Sequence, residues 1–308
     1  MQKYAFLFPG QGSQFIGMGA DLAQEFPVAR MVFQEVDDAL HQSLSSLMFS
    51  GDKDDLIQTQ NAQPAIMAVS VAIFKILETE GSAIEEMASM MAGHSLGEYS
   101  ALCVSGALSL SQTARLLKVR GQAMAEASRT NKGGMLALLG ATLEQAQEIA
   151  TKTDSFIAND NCVGQIVLSG VVSSLASAQI LSGQMKLRAI PLAVSGGFHC
   201  PLMQPAAECL AQELRQIQFN TPKVPIYFNV LAQPEQNPAL FSDLLIQQLT
   251  HPVRWRETIL NMPETHFVEC GPGTVLSGLM RRIGKEQTTL NGCSVAQVKD
   301  LIEKLSIK

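Results

Sequence analysis

Apolar residues fall along this chain in two rhythms. Short uninterrupted runs, YAFLF at 4–8 and ASMMA at 88–92, alternate with longer stretches in which apolar positions recur every three or four residues. The first rhythm suits strands buried on both faces and the second suits helices packed on one side. The pattern therefore predicts an α/β fold around a mainly parallel sheet. One helix is expected to open near Pro64, to carry Ile66, Val69, Ile73, Ile76 and Leu77 on one side, and to stop at Gly81. A second follows Ser109, whose Gln112 three residues on makes a capping box, and runs to about Ala127.

Between about 130 and 197 the alternation tightens. Strand GGMLALLG, helix TLEQAQEIATK, strands SFIAND and QIVLSG, helix SSLASAQILS and strand RAIPLAVS follow in turn. That βαββαβ order is the ferredoxin-like unit. The expected organisation is a small ferredoxin-like domain, 129–197, inserted into a larger α/β domain made of 1–128 and 198–308. The large domain then closes with helix PLMQPAAECLAQELRQI, strand VPIYFNV, a helix near 244–249, strand THFVEC and helix TVLSGLMRRI.

Composition narrows the class. With 308 residues, 46% of them hydrophobic and 16% charged, the chain can bury a sizeable core and is not disordered. No uninterrupted apolar run nears the roughly 18 residues that cross a bilayer. The run before Pro9 is too short for a signal peptide, so a soluble cytoplasmic protein is expected. Six cysteines without ligand spacing predict buried thiols rather than a zinc site or disulfide framework. A net charge of −6 without a Lys/Arg run argues against nucleic acid. Arg281, Arg282 and Lys285 form a small basic cluster near the end, which by itself reads as a solvated helix face.

Gly93-His94-Ser95-Leu96-Gly97 fits GxSxG between a strand and a helix, the setting of a nucleophile elbow. Ser95 would stand at the carboxyl end of the sheet beside helix N–H groups that can stabilise an oxyanion. A serine needs a base. Of the five histidines, His94 should point away from its neighbour, while His41, His251 and His266 lie in stretches with plausible structural roles. His199, in the Gly-rich turn VSGGFHCPLM, is the best candidate. No acid between the two is obviously placed, neither Glu98 nor Asp154 nor Asp160, so a backbone carbonyl could fix the imidazole instead.

Arg120 falls inside the apolar arc of the 110–127 helix, between Leu116 and Met124, whereas Arg115 and Lys118 fall outside it. A guanidinium facing that way needs an anionic partner, either an internal carboxylate or a substrate carboxylate held by two parallel hydrogen bonds. The FPGQGSQFIGMG turn after the first strand lacks the lysine of a phosphate loop. It remains a turn rich in backbone donors, where a second oxyanion N–H could arise.

FPGQGSQ at 8–14, TQNAQPA at 59–65, GHSLGE at 93–98, RGQAM at 120–124, GQIVLSG at 164–170, VSGGFHCPLM at 194–203 and ECGPGTVLSGL at 269–279 together closely resemble the malonyl-CoA:acyl carrier protein transacylases. The resemblance runs in order over nearly the whole chain. It implies an α/β-hydrolase-like core with a ferredoxin-like insertion. It also implies that Ser95 takes the acyl group, that His199 is the base, and that the Gln248 backbone carbonyl orients the histidine. Arg120 would bind the malonyl carboxylate, and the N–H groups of Gln11 and Leu96 would form the oxyanion hole. Asn161 matches a polar position near the cleft, and Leu96 and Phe198 match the malonyl-type pattern more than the methylmalonyl type. Gly197 and Cys200 differ from what many members carry beside the histidine, which leaves fine substrate preference open. The implied substrates are malonyl-CoA and holo acyl carrier protein, with no metal or further cofactor and with a monomeric enzyme. An acidic carrier protein would also suit the basic cluster, or Lys186 and Arg188. Three rival readings stand: a stand-alone acyltransferase of a polyketide pathway, a serine thioesterase or hydrolase, and a noncatalytic binding protein of the same fold.

Overall fold

β1 (Tyr4–Phe8) sorts its side chains onto two cores, which is why its sequence is apolar throughout. Phe6 and Phe8 pack with the helices on one face of the sheet. Ala5 and Leu7 pack on the other with Trp255, Ile259 and Phe267. In this computed structural model, which describes residues 3–284 and 286–305, β1 lies inside a six-stranded sheet. Its neighbours are β2 (Ala88–Gly93), β7 (Ile226–Phe228), β8 (Gln233–Glu235), β9 (His266–Glu269) and β10 (Thr288–Asn291), in the order β10-β9-β1-β2-β7-β8. All pairs are parallel except β7 with the edge strand β8.

A second sheet of β3 (Gly133–Leu139), β4 (Phe156–Cys162), β5 (Gln165–Val171) and β6 (Arg188–Pro191) is antiparallel throughout, in the order β4-β5-β3-β6. The two sheets are joined, because Val253 donates its N–H to Ala158 O at 2.8 Å and accepts from Asp160 N at 3.0 Å. Arg256 adds a forked contact to the Asp160 carboxylate, with Nη2 at 2.9 Å from Oδ2.

Four helices position the site: α1 (Thr59–Glu80), α2 (Gly97–Val104), α3 (Leu110–Thr130) and α4 (Phe241–Thr250). The expected capping box at Ser109 and Gln112 starts α3. α1 opens five residues before the Pro64 start expected from sequence. The proline forgoes only one backbone bond, and Gln63 Nε2 donating to Thr59 Oγ1 at 2.8 Å braces the first turn. By length and composition α1 could cross a membrane, with mean hydropathy 1.3 over its most apolar stretch, contrary to the expectation drawn from uninterrupted runs. Yet 83% of that stretch is buried inside the protein, so it is the central core helix.

Other departures from the sequence reading are local. The strand expected over 188–195 ends at Pro191 on the sheet edge, where a missing N–H is tolerated. The short strands β8 and β10 carry too few residues to have been read, whereas the closing helix Val295–Leu305, which buries Val298, Leu301 and Leu305 at helical spacing, carries a pattern that the sequence reading passed over. Three cysteines, Cys162, Cys200 and Cys270, are buried rather than most of the six, and Cys209 is exposed. Arg281 and Arg282 are exposed, and Arg282 donates to Gln165 Oε1 across to the second sheet, whereas Lys285 lies outside the described residues.

Candidate active site

β1 and β2 run side by side, with Phe8 opposite Gly93, so the loops that leave them emerge together at one end of the sheet. The turn after β2 is very tight. A side chain at Gly97 would place its Cβ 2.1 Å from Phe8 O, and one at Gly93 would meet Gly97 at 1.8 Å, so neither position accepts even a methyl group. The turn forces Ser95 to a φ of 53°, a left-handed conformation that costs a non-glycine residue about 1 kcal/mol or more. Both of its backbone polar groups are held by side chains from distant segments. Ser95 N donates to Asn229 Oδ1 at 2.8 Å, and Gln248 Nε2 donates to Ser95 O at 3.0 Å.

Around the Ser95 hydroxyl three predicted residues converge. His199 Nε2 lies 2.9 Å from Ser95 Oγ. His199 Nδ1 is 2.8 Å from the Gln248 backbone carbonyl, an acceptor only, so Nδ1 carries the hydrogen and Nε2 of the neutral ring can accept one. Arg120 Nη2 donates to Ser95 Oγ at 3.1 Å. Burial first and the Arg120 charge second push the His199 pKa down to about 3.

Arg120 points inward from α3, as its place in the apolar arc predicted, and is only 1% exposed. Nη1 donates to Gln63 Oε1 at 2.6 Å, and Nη2 also donates to Gln248 Oε1 at 2.9 Å. The guanidinium sits 5.4 Å from the Tyr99 ring centroid, and its Nε is buried without a partner. Its hydrogen-bonding partners, Gln63, Ser95 and Gln248, are all neutral. Gly121 lets α3 approach α1 closely enough for the Gln63 bond, since a Cβ there would lie 2.5 Å from Gln60 Cα.

The remaining predicted residues lie around this centre. Leu96, 1% exposed, stands at the entry to α2, and Gln11 is on the exposed loop after β1, its Oε1 accepting from Thr59 Oγ1 at 2.9 Å. Asn161 reaches the elbow through His94, whose Nε2 lies 2.9 Å from Asn161 Oδ1, rather than through Ser95 itself. The His94 ring packs 5.6 Å from that of Trp255. Phe198 is buried in the apolar core beside His199.

The sequence matches the acyl transferase domain family over residues 5–303. The chain belongs to the acyl transferase family. A malonyl CoA-acyl carrier protein transacylase of Bacillus subtilis is 42% identical to this acyl transferase over 299 residues, covering 94% of this chain and 93% of the relative. The acyl-carrier-protein-S-malonyltransferase of Bartonella henselae superposes with a TM-score of 0.96 at 44% identity, covering 99% of this chain and all of that one. A solved complex of a type II PKS acyl-carrier protein with its malonyl-transacylase superposes with a TM-score of 0.92 at 38% identity over 98% of this chain and 100% of that one.

Three residues around the site were given no role from sequence, Glu98 having been weighed only as a partner acid for the histidine and set aside. Glu98 is wholly buried on α2, Asn229 follows β7, and Gln63 opens the second turn of α1. Glu98 and Gln63 lie inside the quoted motifs GHSLGE and TQNAQPA, so a signal existed there. A polar residue ending the strand VPIYFNV was the only one for Asn229. For Gln248 only the backbone carbonyl was anticipated, yet its carboxamide also links Ser95, Arg120 and Glu98.

Proposed function

We propose that the protein transfers the malonyl group of malonyl-CoA to the phosphopantetheine thiol of acyl carrier protein, in the cytoplasm, as a step of fatty acid synthesis. The observation that carries this reading is that one hydroxyl, Ser95 Oγ, lies 2.9 Å from a base and 3.1 Å from a buried guanidinium. A nucleophile between a base and a cation suits an acyl group that bears a second, free carboxylate. On the same reading the core is α/β-hydrolase-like and the βαββαβ segment 129–197 is a ferredoxin-like insertion within the 1–128 and 198–308 domain.

In the first step His199 Nε2 takes the Ser95 proton and Oγ attacks the thioester carbonyl. The backbone N–H groups of Gln11 and Leu96 meet the oxyanion, one from each of the two adjacent strand-end loops. Collapse breaks the C–S bond, His199 returns the proton to the sulfur of CoA, and malonyl-Ser95 remains. In the second step the phosphopantetheine thiol gives its proton to His199 and attacks the ester carbonyl; the C–Oγ bond then breaks, the malonyl group stays on the thiol as a thioester, and His199 returns the proton to Ser95 Oγ. The reacting groups are the thioester and thiol of the two substrates together with Ser95 and His199, and the route calls on no cofactor. Arg120 holds the malonyl carboxylate, with Phe198 shaping the apolar side and Asn161 steadying the elbow through His94.

Two outcomes test the reading. Enzyme, malonyl-CoA and holo acyl carrier protein should yield malonyl carrier protein, whereas rapid release of free malonate without carrier protein would favour a hydrolase. Arg120→Ala should lower the preference for malonyl over acetyl by at least about tenfold, because a site built to pair a charged group rejects the analogue lacking it. An unchanged preference would remove Arg120 from its role.

A further inference from the structure

Glu98 belongs to no step above, yet it is wholly buried and both of its carboxyl oxygens are occupied. Oε2 accepts from Asn229 N at 2.6 Å and Oε1 from Gln248 Nε2 at 2.9 Å. Each contact leads to the reacting groups. Asn229, anchored there by its backbone, turns its side chain onto the elbow, accepting from Ser95 N at 2.8 Å and donating to Gly93 O at 2.6 Å. Gln248, anchored there by its Nε2, donates its other hydrogen to Ser95 O, presents Oε1 to Arg120 Nη2 and gives its backbone carbonyl to His199 Nδ1.

The Gln248 carboxamide thus has one permitted orientation. Turned over, its oxygen would face two acceptors, Glu98 Oε1 and Ser95 O, and its amino group would face the guanidinium, donor against donor. Resting on the malonyl-transfer reading, we propose that Glu98 is a positioning residue of that reaction: it fixes the Gln248 carboxamide and the Asn229 backbone, and through them the stance of Arg120 and Ser95. The place of a triad acid at His199 Nδ1 is held by the Gln248 backbone carbonyl, and Glu98 acts on the site only through Gln248 and Asn229.

The glutamine isostere makes the inference testable, because it keeps the shape and loses one acceptor. Asn229 N–H is a backbone donor that cannot turn away, so in Glu98→Gln the new carboxamide oxygen stays with it and the new amino group meets Gln248. Gln248 then rotates and Arg120 loses an acceptor. Glu98→Asp keeps two acceptors on a shorter arm and should retain more function.

The experiment measures acylation of the serine by malonyl-CoA and by acetyl-CoA, per active site counted from the adduct by intact mass, alongside the melting temperature. Wild-type enzyme comes first, since absence of a malonyl adduct there would overturn the malonyl-transfer reading and the proposal with it, whereas the variant outcomes bear on the proposal alone. Given the adduct, Glu98→Gln should reduce the malonyl-to-acetyl ratio by about tenfold and raise KM for malonyl-CoA, with Glu98→Asp between it and wild type. A merely structural glutamate would lower the melting temperature of folded Glu98→Gln while ratio and KM per active site stayed at wild-type values, which would overturn the proposal. If Glu98→Gln does not fold, Glu98→Asp decides: a wild-type ratio and KM overturn the proposal, and a shift in both supports it.

Discussion

At the scale of single residues, the proposed chemistry rests on keeping an imidazole neutral beside a cation. Burial and the Arg120 charge both penalise the protonated ring of His199, so its pKa falls from 6.5 to about 3. The base therefore stays available as pH drops through the range in which an ordinary histidine protonates. We expect kcat/KM for malonyl-CoA to show no acidic limb near pH 6.5, and we expect Arg120→Ala, which removes one of the two causes, to move the limb upward. A pH profile of kcat/KM, which reports the free enzyme, checks both, and a wild-type limb centred near 6.5 would contradict the account. The same shift has a stability consequence of defined sign. Between pH 6.5 and about 3 the unfolded chain binds a proton at His199 that the native state refuses, so this residue withdraws stability as pH falls through that window.

At the scale of elements, the nucleophile depends on contact between a turn and its neighbouring strand. Gly97→Ala places a Cβ 2.1 Å from Phe8 O, a backbone atom that cannot move aside without distorting β1. We expect a loss of roughly 3 kcal/mol, the upper part of the range for overpacking, and loss of serine acylation. Thermal denaturation checks the first effect, and a wild-type melting temperature would mean that the turn is looser than described. This element was legible in the sequence because its signals are local: an apolar run, a GxSxG turn and helix formers follow one another. The same holds for Arg120, placed by helical periodicity. The motifs GHSLGE and TQNAQPA marked the neighbourhood of Glu98 and Gln63, but the roles of these two and of Asn229 were not legible because they arise from long-range contacts. Glu98 and Gln248, for instance, meet across 150 positions of chain. The early start of α1 was missed because a proline normally marks a first turn, whereas here a side-chain bond between Gln63 and Thr59 secures the turn before it.

At the scale of the whole molecule, the site collects residues from across the chain onto one end of the larger sheet. The loops after β1 and β2 bring Gln11, Ser95 and Leu96, α3 brings Arg120 and α4 brings Gln248. His199 arrives on the segment that returns from the smaller sheet, which is fastened by the Val253 backbone bonds and by Arg256 to Asp160. The alternating pattern of strands and helices made this two-sheet layout readable, including the βαββαβ order. The seam between the sheets was not readable, since it joins β4 to a residue about 95 positions later with no local mark. The central claim is that this gathering makes Ser95 the carrier of a malonyl group. Its most direct test is peptide mapping by mass spectrometry after brief exposure to malonyl-CoA. The account predicts a malonyl ester on the Ser95 peptide, absent in Ser95→Ala and discharged by holo acyl carrier protein; an adduct elsewhere, or one that persists in Ser95→Ala, would contradict it.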